Sequence, residues 1–204
     1  MDKGCFATKN IDGKLEMYHE HTQFLALCLD IADEGQKELI ADNLYSANLI
    51  ESSFSPMLYM VKAALKLGRR GHEFIRMRQS RAFAPMLAVG ATSLWETPLG
   101  AQDFELAGSL CHAWSSLPVY YCHAVILGVT PLEPGFKRFR VSPWKDQLEH
   151  ASGTVPTSHG PIEISWKLDN GKIDLKIKHP EGLTPVVEAS PDTAIGKVEI
   201  LSGQ

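Results

Sequence analysis

Apolar residues in this 204-residue chain recur with two different periods, and the switch falls near residue 135. Before it the spacing is helical. Phe24, Leu27, Cys28 and Ile31 follow i, i+3, i+4, i+7, and Met57, Met60, Val61 and Ala64 form a second such set. After it the period is two. In "PIEISWKLDNGKIDLKIK", Ile162, Ile164, Trp166 and Leu168 alternate with Glu163, Ser165 and Lys167, and Ile173, Leu175 and Ile177 alternate with Asp174, Lys176 and Lys178. Because a helix repeats every 3.6 residues and a strand every two, the two stretches require different elements. Helices followed by strands point to an α+β chain or to two separate units.

Punctuation sharpens both halves. Ser55 is placed to cap a helix that has Pro56 at its first position and Gly68 as its stop. A further helix is expected from about Gly71 to Ala84, interrupted by Pro85. No Asp, Glu, Lys or Arg occurs from Leu106 to Leu132, which predicts a last, buried helix kinked at Pro118. Its dense apolar part, Leu117 to Val129, is shorter than the ~20 residues that span a bilayer, so no membrane partner is expected. In the second half Asn170-Gly171 marks a two-residue hairpin. "FKRFRV", "EHASGTV", "TPVVEA" and "KVEIL" add shorter strands to an antiparallel sandwich.

Other classes are excluded by composition. The net charge of -4 and a pI near 6.1 do not suit a nucleic-acid partner. The basic run "RRGHEFIRMRQSR", with Arg69, Arg70, Arg76, Arg78 and Arg81, reads as a solvated helix face. The cysteines lack C-x-x-C spacing, so neither zinc nor redox chemistry is indicated, and Cys28, Cys111 and Cys122 are expected in the core. His19 and His21 would diverge by about 200° on a helix and could not share a metal. Their stretch reads as a polar helix entry capped by Thr22 or a neighbour. No metal and no cofactor is expected. "MDKGCFATKN" is not a signal peptide. As it stands the chain reads as cytoplasmic, with a periplasmic or secreted parent left open.

Two stretches offer chemistry. In "VGATSLWETPLG", Glu96 follows Trp95 in a loop after a helix. A carboxylate beside an indole can serve as a general base next to a sugar-stacking surface, although most glutamates are simply solvated. In "SLCHAWSS", His112 and Trp114 suggest a polar site cut into an apolar wall, against the commoner case of a core histidine.

"VGATSLWE", "SLCHAWSSLPVYY", "ILGVTPLEPGFKRFRVSP" and "GTVPTSHGPIEISW" resemble, in order and spacing, the C-terminal part of bacterial α-L-rhamnosidases. "SSFSPMLYMVKAALKLG" and "EHTQFLAL" resemble earlier helices of the same domain. The resemblance implies the end of a six-hairpin (α/α)6 catalytic barrel over residues 1–134 and a C-terminal β-sandwich over residues 135–204. It implies that Glu96 is the base of an inverting hydrolysis, that His112 contacts the sugar, and that Trp95 and Trp114 line that subsite. The partner would be a rhamnose-containing oligosaccharide or glycoside. The family's general acid lies in an upstream acidic motif with no counterpart here. Residues 1–134 hold about five to seven of a barrel's twelve helices. The expectation is therefore a C-terminal piece, inactive by itself. Thr97-Pro98-Leu99 departs from the Arg-Trp and acidic loop of many relatives. Two other readings are a non-catalytic carbohydrate-binding module using Trp144 and Trp166, and a homo-oligomer formed through exposed helix faces.

Overall fold

The structure, a computed structural model, describes residues 4–45 and 49–203, without the side chains of Arg69 and Arg70. The start of the segment read for a signal peptide, and the side chains of those two arginines of the basic run, lie outside what is described. The chain forms two compact units, Met1–Leu117 and Pro118–Gln204.

The first unit opens with a small hairpin, β1 (Lys9–Ile11) and β2 (Lys14–Glu16), turning at Asp12-Gly13. Both turn residues have positive φ, 50° and 81°, as this two-residue turn requires. Four helices follow: α1 (Glu20–Cys28), α2 (Glu34–Leu44), α3 (Met57–Lys66) and α4 (Gly68–Ala88). A capping box starts α2, with Asp33 accepting from Gln36 N–H and Gln36 accepting from Asp33 N–H. Phe24 and Leu27 of α1 and Met57, Met60, Val61 and Ala64 of α3 are buried, as their spacing predicts. Ile31 departs from its set. Asp30 turns left-handed (φ 54°) after α1, and Ile31 is exposed beyond the helix end.

Three helix boundaries differ from the sequence reading. Ser55 does not cap α3: its hydroxyl pairs with that of Ser53, and Pro56 is the cap residue, its carbonyl accepting from Tyr59 and Met60. Gly68 ends α3 with φ 57° but also begins α4. Pro85 lies inside α4 because it forfeits only one amide bond near the C-terminal end, where the ladder is already finishing. Where α3 and α4 pack, Gly71 is sterically required. A Cβ there would lie 1.9 Å from the Ala64 carbonyl oxygen.

Part of the basic run is not solvated. Arg78 is buried, and its guanidinium bonds Glu20 Oε2 at 3.1 Å, the Ser52 carbonyl at 3.3 Å and the carboxylate of Glu51. Ser52 N–H donates to the same Glu20 oxygen at 2.9 Å. This cluster ties α1, the 51–52 segment and α4 together. Burial pushes the Glu20 carboxyl above its ordinary range, opposed by Ser52 N–H and Arg78.

The uncharged stretch 106–132 is not one helix. It holds turns, a 3₁₀ turn at Ala113–Ser115, the short α5 (Leu117–Tyr121), a π-helical turn at Cys122–Ile126 and strand β3 (Val129–Pro131). Gly108 and Gly128 interrupt it, Pro118 sits in the first turn of α5 and does not kink a longer helix, and the backbone around Ser109 and His112 pairs with residues 94–96 instead of with itself. Cys111 and Cys122 are exposed and Cys28 is half-buried, so the expected core placement fails for these three, while Cys5 is buried. No helix among the described residues is long and apolar enough to cross a membrane.

In the second unit β3 is followed by β4 (Arg138–Val141), β5 (His150–Val155), β6 (Ile162–Asp169), β7 (Lys172–His179), β8 (Thr184–Val187) and β9 (Ala194–Ser202). The strands make two sheets, ordered β3-β4-β8 and β5-β6-β7-β9. The α+β class expected from the period change is what is observed. Most pairs are antiparallel, and each sheet has one parallel pair, β4 with β8 and β7 with β9. The hairpin turn at Asn170-Gly171 has φ of 48° and 77°. Val129, Phe139 and Val141 of one sheet share a core with Ile162, Ile164, Trp166, Ile173, Leu175 and Ile177 of the other. Trp166 satisfies its indole by donating to the Ile126 carbonyl at 2.9 Å.

Candidate functional site

Of the four residues singled out from the sequence, Glu96, His112 and Trp114 meet in the first unit, beyond the end of α4, and Trp95 precedes Glu96 in the chain. Two segments, around 94–96 and 109–112, pair through their backbones. His112 N–H donates to the Leu94 carbonyl at 2.8 Å and Glu96 N–H to the Ser109 carbonyl at 2.9 Å. Ser93 Oγ donates to the Leu110 carbonyl at 2.5 Å. This pairing sets Glu96 and His112 side by side although 16 positions separate them. Ser109 N–H donates to Glu96 Oε2 at 3.1 Å, and His112 Nδ1 lies 3.6 Å from the same oxygen. Among the described residues no hydrogen bond reaches Glu96 Oε1. Both side chains keep about a quarter of their surface in solvent, 25% for Glu96 and 26% for His112. The pair is therefore accessible yet sheltered.

One aromatic ring stacks on the pair, and a second packs nearby against the loop. Trp114 stacks flat on His112, ring centroids 4.6 Å apart and planes within 5°. More than half of Trp114 is exposed, leaving apolar surface for a ligand beside the histidine. Trp95 is half-buried and packs over Gly100, where a Cβ would lie 2.5 Å from Trp95 Cε3 and where φ is 55°. Ser115 is wholly buried and donates its hydroxyl to the Trp95 carbonyl at 2.5 Å. Between the two segments the chain makes a loop through Thr97-Pro98-Leu99. It contains three consecutive left-handed residues, Phe104, Glu105 and Leu106 (φ 50°, 57° and 72°). Thr97 Oγ1 is buried with no hydrogen-bond partner.

A carboxylate with one oxygen anchored by an amide and the other unengaged can accept a proton from water. A histidine beside it and an open indole face suit the polar rim and apolar face of a sugar. The sequence exposed Glu96, His112, Trp95 and Trp114 as candidates but gave no sign of the hydroxyls of Ser93 and Ser115, or of the Ser109 backbone, which hold them. Serine is too common, and the bonds too non-local, for any spacing rule to detect.

Other candidates fall away. His19 is the extended cap residue of α1 and not part of the helix, so its ring sits 4.9 Å from that of His21, where helical geometry would have spread them. Thr22 does not cap α1. Its hydroxyl meets that of Thr8 at 2.9 Å, and Thr8 also meets His19 Nδ1 at 2.8 Å. Burial, then His21 and Lys9, hold His19 below the ordinary histidine range. No group of three or more His, Cys, Asp or Glu among the described residues is placed to hold a metal ion. Trp144 and Trp166 are buried, so neither offers a sugar platform.

Comparison with known proteins defines the class first. Residues 128–199 match the family model of the bacterial alpha-L-rhamnosidase C-terminal domain. An alpha-L-rhamnosidase of Alteromonas sp. (strain LOR) is 34% identical over 98 residues, 45% of this chain and 10% of that protein. The solved GH78 family rhamnosidase of Bacillus sp. GL1 superposes with a TM-score of 0.81 at 28% identity, over 95% of this chain and 21% of that one. The alpha-L-rhamnosidase of Aspergillus terreus shares the fold, with a TM-score of 0.68 at 21% identity over 89% of this chain and 23% of that one. The chain is thus similar to part of a family of glycoside hydrolases. More particularly, it resembles the C-terminal part of bacterial α-L-rhamnosidases. It spans about a tenth of the length of the curated relative and about a fifth of these solved structures.

Proposed function

We propose that this chain carries the general-base half of an inverting α-L-rhamnosidase site, with Glu96 as the base. The observation that carries the reading is the convergence of Glu96 and His112, with Nδ1 3.6 Å from Oε2, beside the exposed face of Trp114. The anchoring of Oε2 by Ser109 N–H leaves Oε1 to take the proton of the attacking water. His112 contacts the sugar, and Trp95 and Trp114 line its subsite. An inverting hydrolase needs a second carboxyl on the opposite face of the ring, about 6.5–9.5 Å away, to leave room for that water. No residue of this chain matches the family's acid motif. The helical unit up to Leu117 then contributes the base side of the (α/α)6 catalytic domain, and the strands from β3 onward its β-sandwich companion. The substrate is a terminal α-L-rhamnoside of a glycoside or oligosaccharide.

Loss of a general acid costs about 10²–10⁴-fold in rate. The 204-residue chain alone therefore turns over aryl α-L-rhamnoside at background rate. Joined to the upstream chain that supplies the acid, it hydrolyses that substrate, and Glu96→Gln abolishes turnover. Normal turnover by the Glu96→Gln protein would remove the assignment. Retention of anomeric configuration in the first-formed sugar would remove the inverting mechanism.

A further inference from the structure

We infer that Ser115 is a positioning residue whose hydroxyl sets the separation of Glu96 and His112; its functional meaning rests on the reading of those two residues given above. The atom it grips is informative. The Trp95 carbonyl belongs to the same rigid peptide plane as Glu96 N–H. Ser115 Oγ holds that plane by its oxygen at 2.5 Å, and the Ser109 carbonyl holds it by its N–H at 2.9 Å. With both edges fixed, the plane cannot rotate, and the Cα of Glu96 stays where Ser109 N–H meets its carboxylate. Ser115 is also the last residue of the turn that starts at His112, closed by Ser115 N–H to the His112 carbonyl at 3.2 Å. One hydroxyl therefore locks the turn bearing His112 and Trp114 to the peptide bearing Glu96. Ser115 is 0% exposed, so water cannot replace the lost donor without rearrangement. The neighbouring Ser116 provides the contrast. It is exposed, and its hydroxyl donates within the turn, to the Ala113 carbonyl, touching neither candidate residue.

The test uses nuclear Overhauser contacts between the His112 ring and the Glu96 side chain in the full 204-residue chain. They are expected in the wild-type chain, lost in Ser115→Ala, restored in Ser115→Thr and unchanged in Ser116→Ala. Should the alanine variant unfold, Ser115→Cys keeps the volume while weakening the donor and carries the same comparison. Contacts that persist without the Ser115 hydroxyl would overturn the inference. So would equal loss in Ser116→Ala, which would indicate a general loosening of the turn. Titration with L-rhamnose forms the second arm, with affinity falling about fivefold to tenfold in Ser115→Ala, the worth of one lost hydrogen bond. If the contacts respond as expected but the wild-type chain binds no rhamnose, the positioning role stands and the functional reading of Glu96 and His112 fails.

Discussion

Replacing Arg78 by Met should be among the most damaging single changes to the helical unit, and its cost should depend on pH. Arg78 is 2% exposed and Glu20 6%. The substitution keeps an apolar stem in the space but removes the guanidinium that bonds Glu20 at 3.1 Å and the Ser52 carbonyl at 3.3 Å. Glu20 retains only the amide of Ser52, at 2.9 Å, among its short contacts. Breaking a buried ion pair from one side costs about 3–5 kcal/mol, because the remaining charge stays buried. The contact of Arg81 with Glu51, at 3.3 Å and more than half exposed on both sides, adds little. The sign of the pH effect follows from Glu20. Its folded-state carboxyl is already raised, chiefly by burial, and Arg78 opposes that rise. A raised carboxyl favours the protonated folded state, so its contribution is present in acid and is lost as pH rises through the folded value. Without Arg78 the rise is larger, and the loss extends to higher pH. Urea unfolding followed by circular dichroism at about pH 5 and pH 8 separates these cases. The deficit should be smaller at the lower pH. Glu20→Gln combined with Arg78→Met should recover part of it. A deficit under about 1 kcal/mol, equal at both pH values, would refute the reasoning and return Arg78 to the status of a surface charge.

Two further outcomes follow from single sites. Gly71→Ala would press a Cβ to 1.9 Å from the Ala64 carbonyl, so α3 and α4 must separate, and a loss of at least about 2 kcal/mol is expected in the same urea assay. Thr97→Val removes a buried hydroxyl that has no partner while keeping its shape, and should raise the melting temperature by an amount equivalent to up to about 1 kcal/mol. A fall would mean the hydroxyl is partnered in solution.

What the sequence disclosed, and what it hid, follows from the range of the forces involved. The β6–β7 hairpin was legible because alternation and an Asn-Gly turn are local and agree with each other. The buried set of α3 was legible for the same reason. The Asp12-Gly13 hairpin carries an equivalent turn signal, but its strands are three residues long with no apolar face, so alternation had nothing to mark. Residues 106–132 misled because an apolar run has no period of its own, and a loop that leaves Leu106 79% and Leu110 46% exposed reads as a buried helix. Arg78 misled because its partner Glu20 is 58 positions away, and a basic run viewed alone reads as solvated. At the candidate site the candidate side chains were suggested by residue type and by resemblance. Their mutual geometry depends on three serines and a strained loop, none of which leaves a pattern in one sequence.

The central claim is that Trp95, Glu96, His112 and Trp114 together form one face of a rhamnose site. Titrating the isotopically labelled chain with L-rhamnose at millimolar concentration, and following the side-chain resonances of Trp95, His112 and Trp114, tests it most directly. The account predicts saturable shifts at these three residues that disappear in His112→Ala, while the indoles of the buried Trp144 and Trp166 remain unmoved. No shift at the three residues, or equal shifts at the buried indoles, would contradict it.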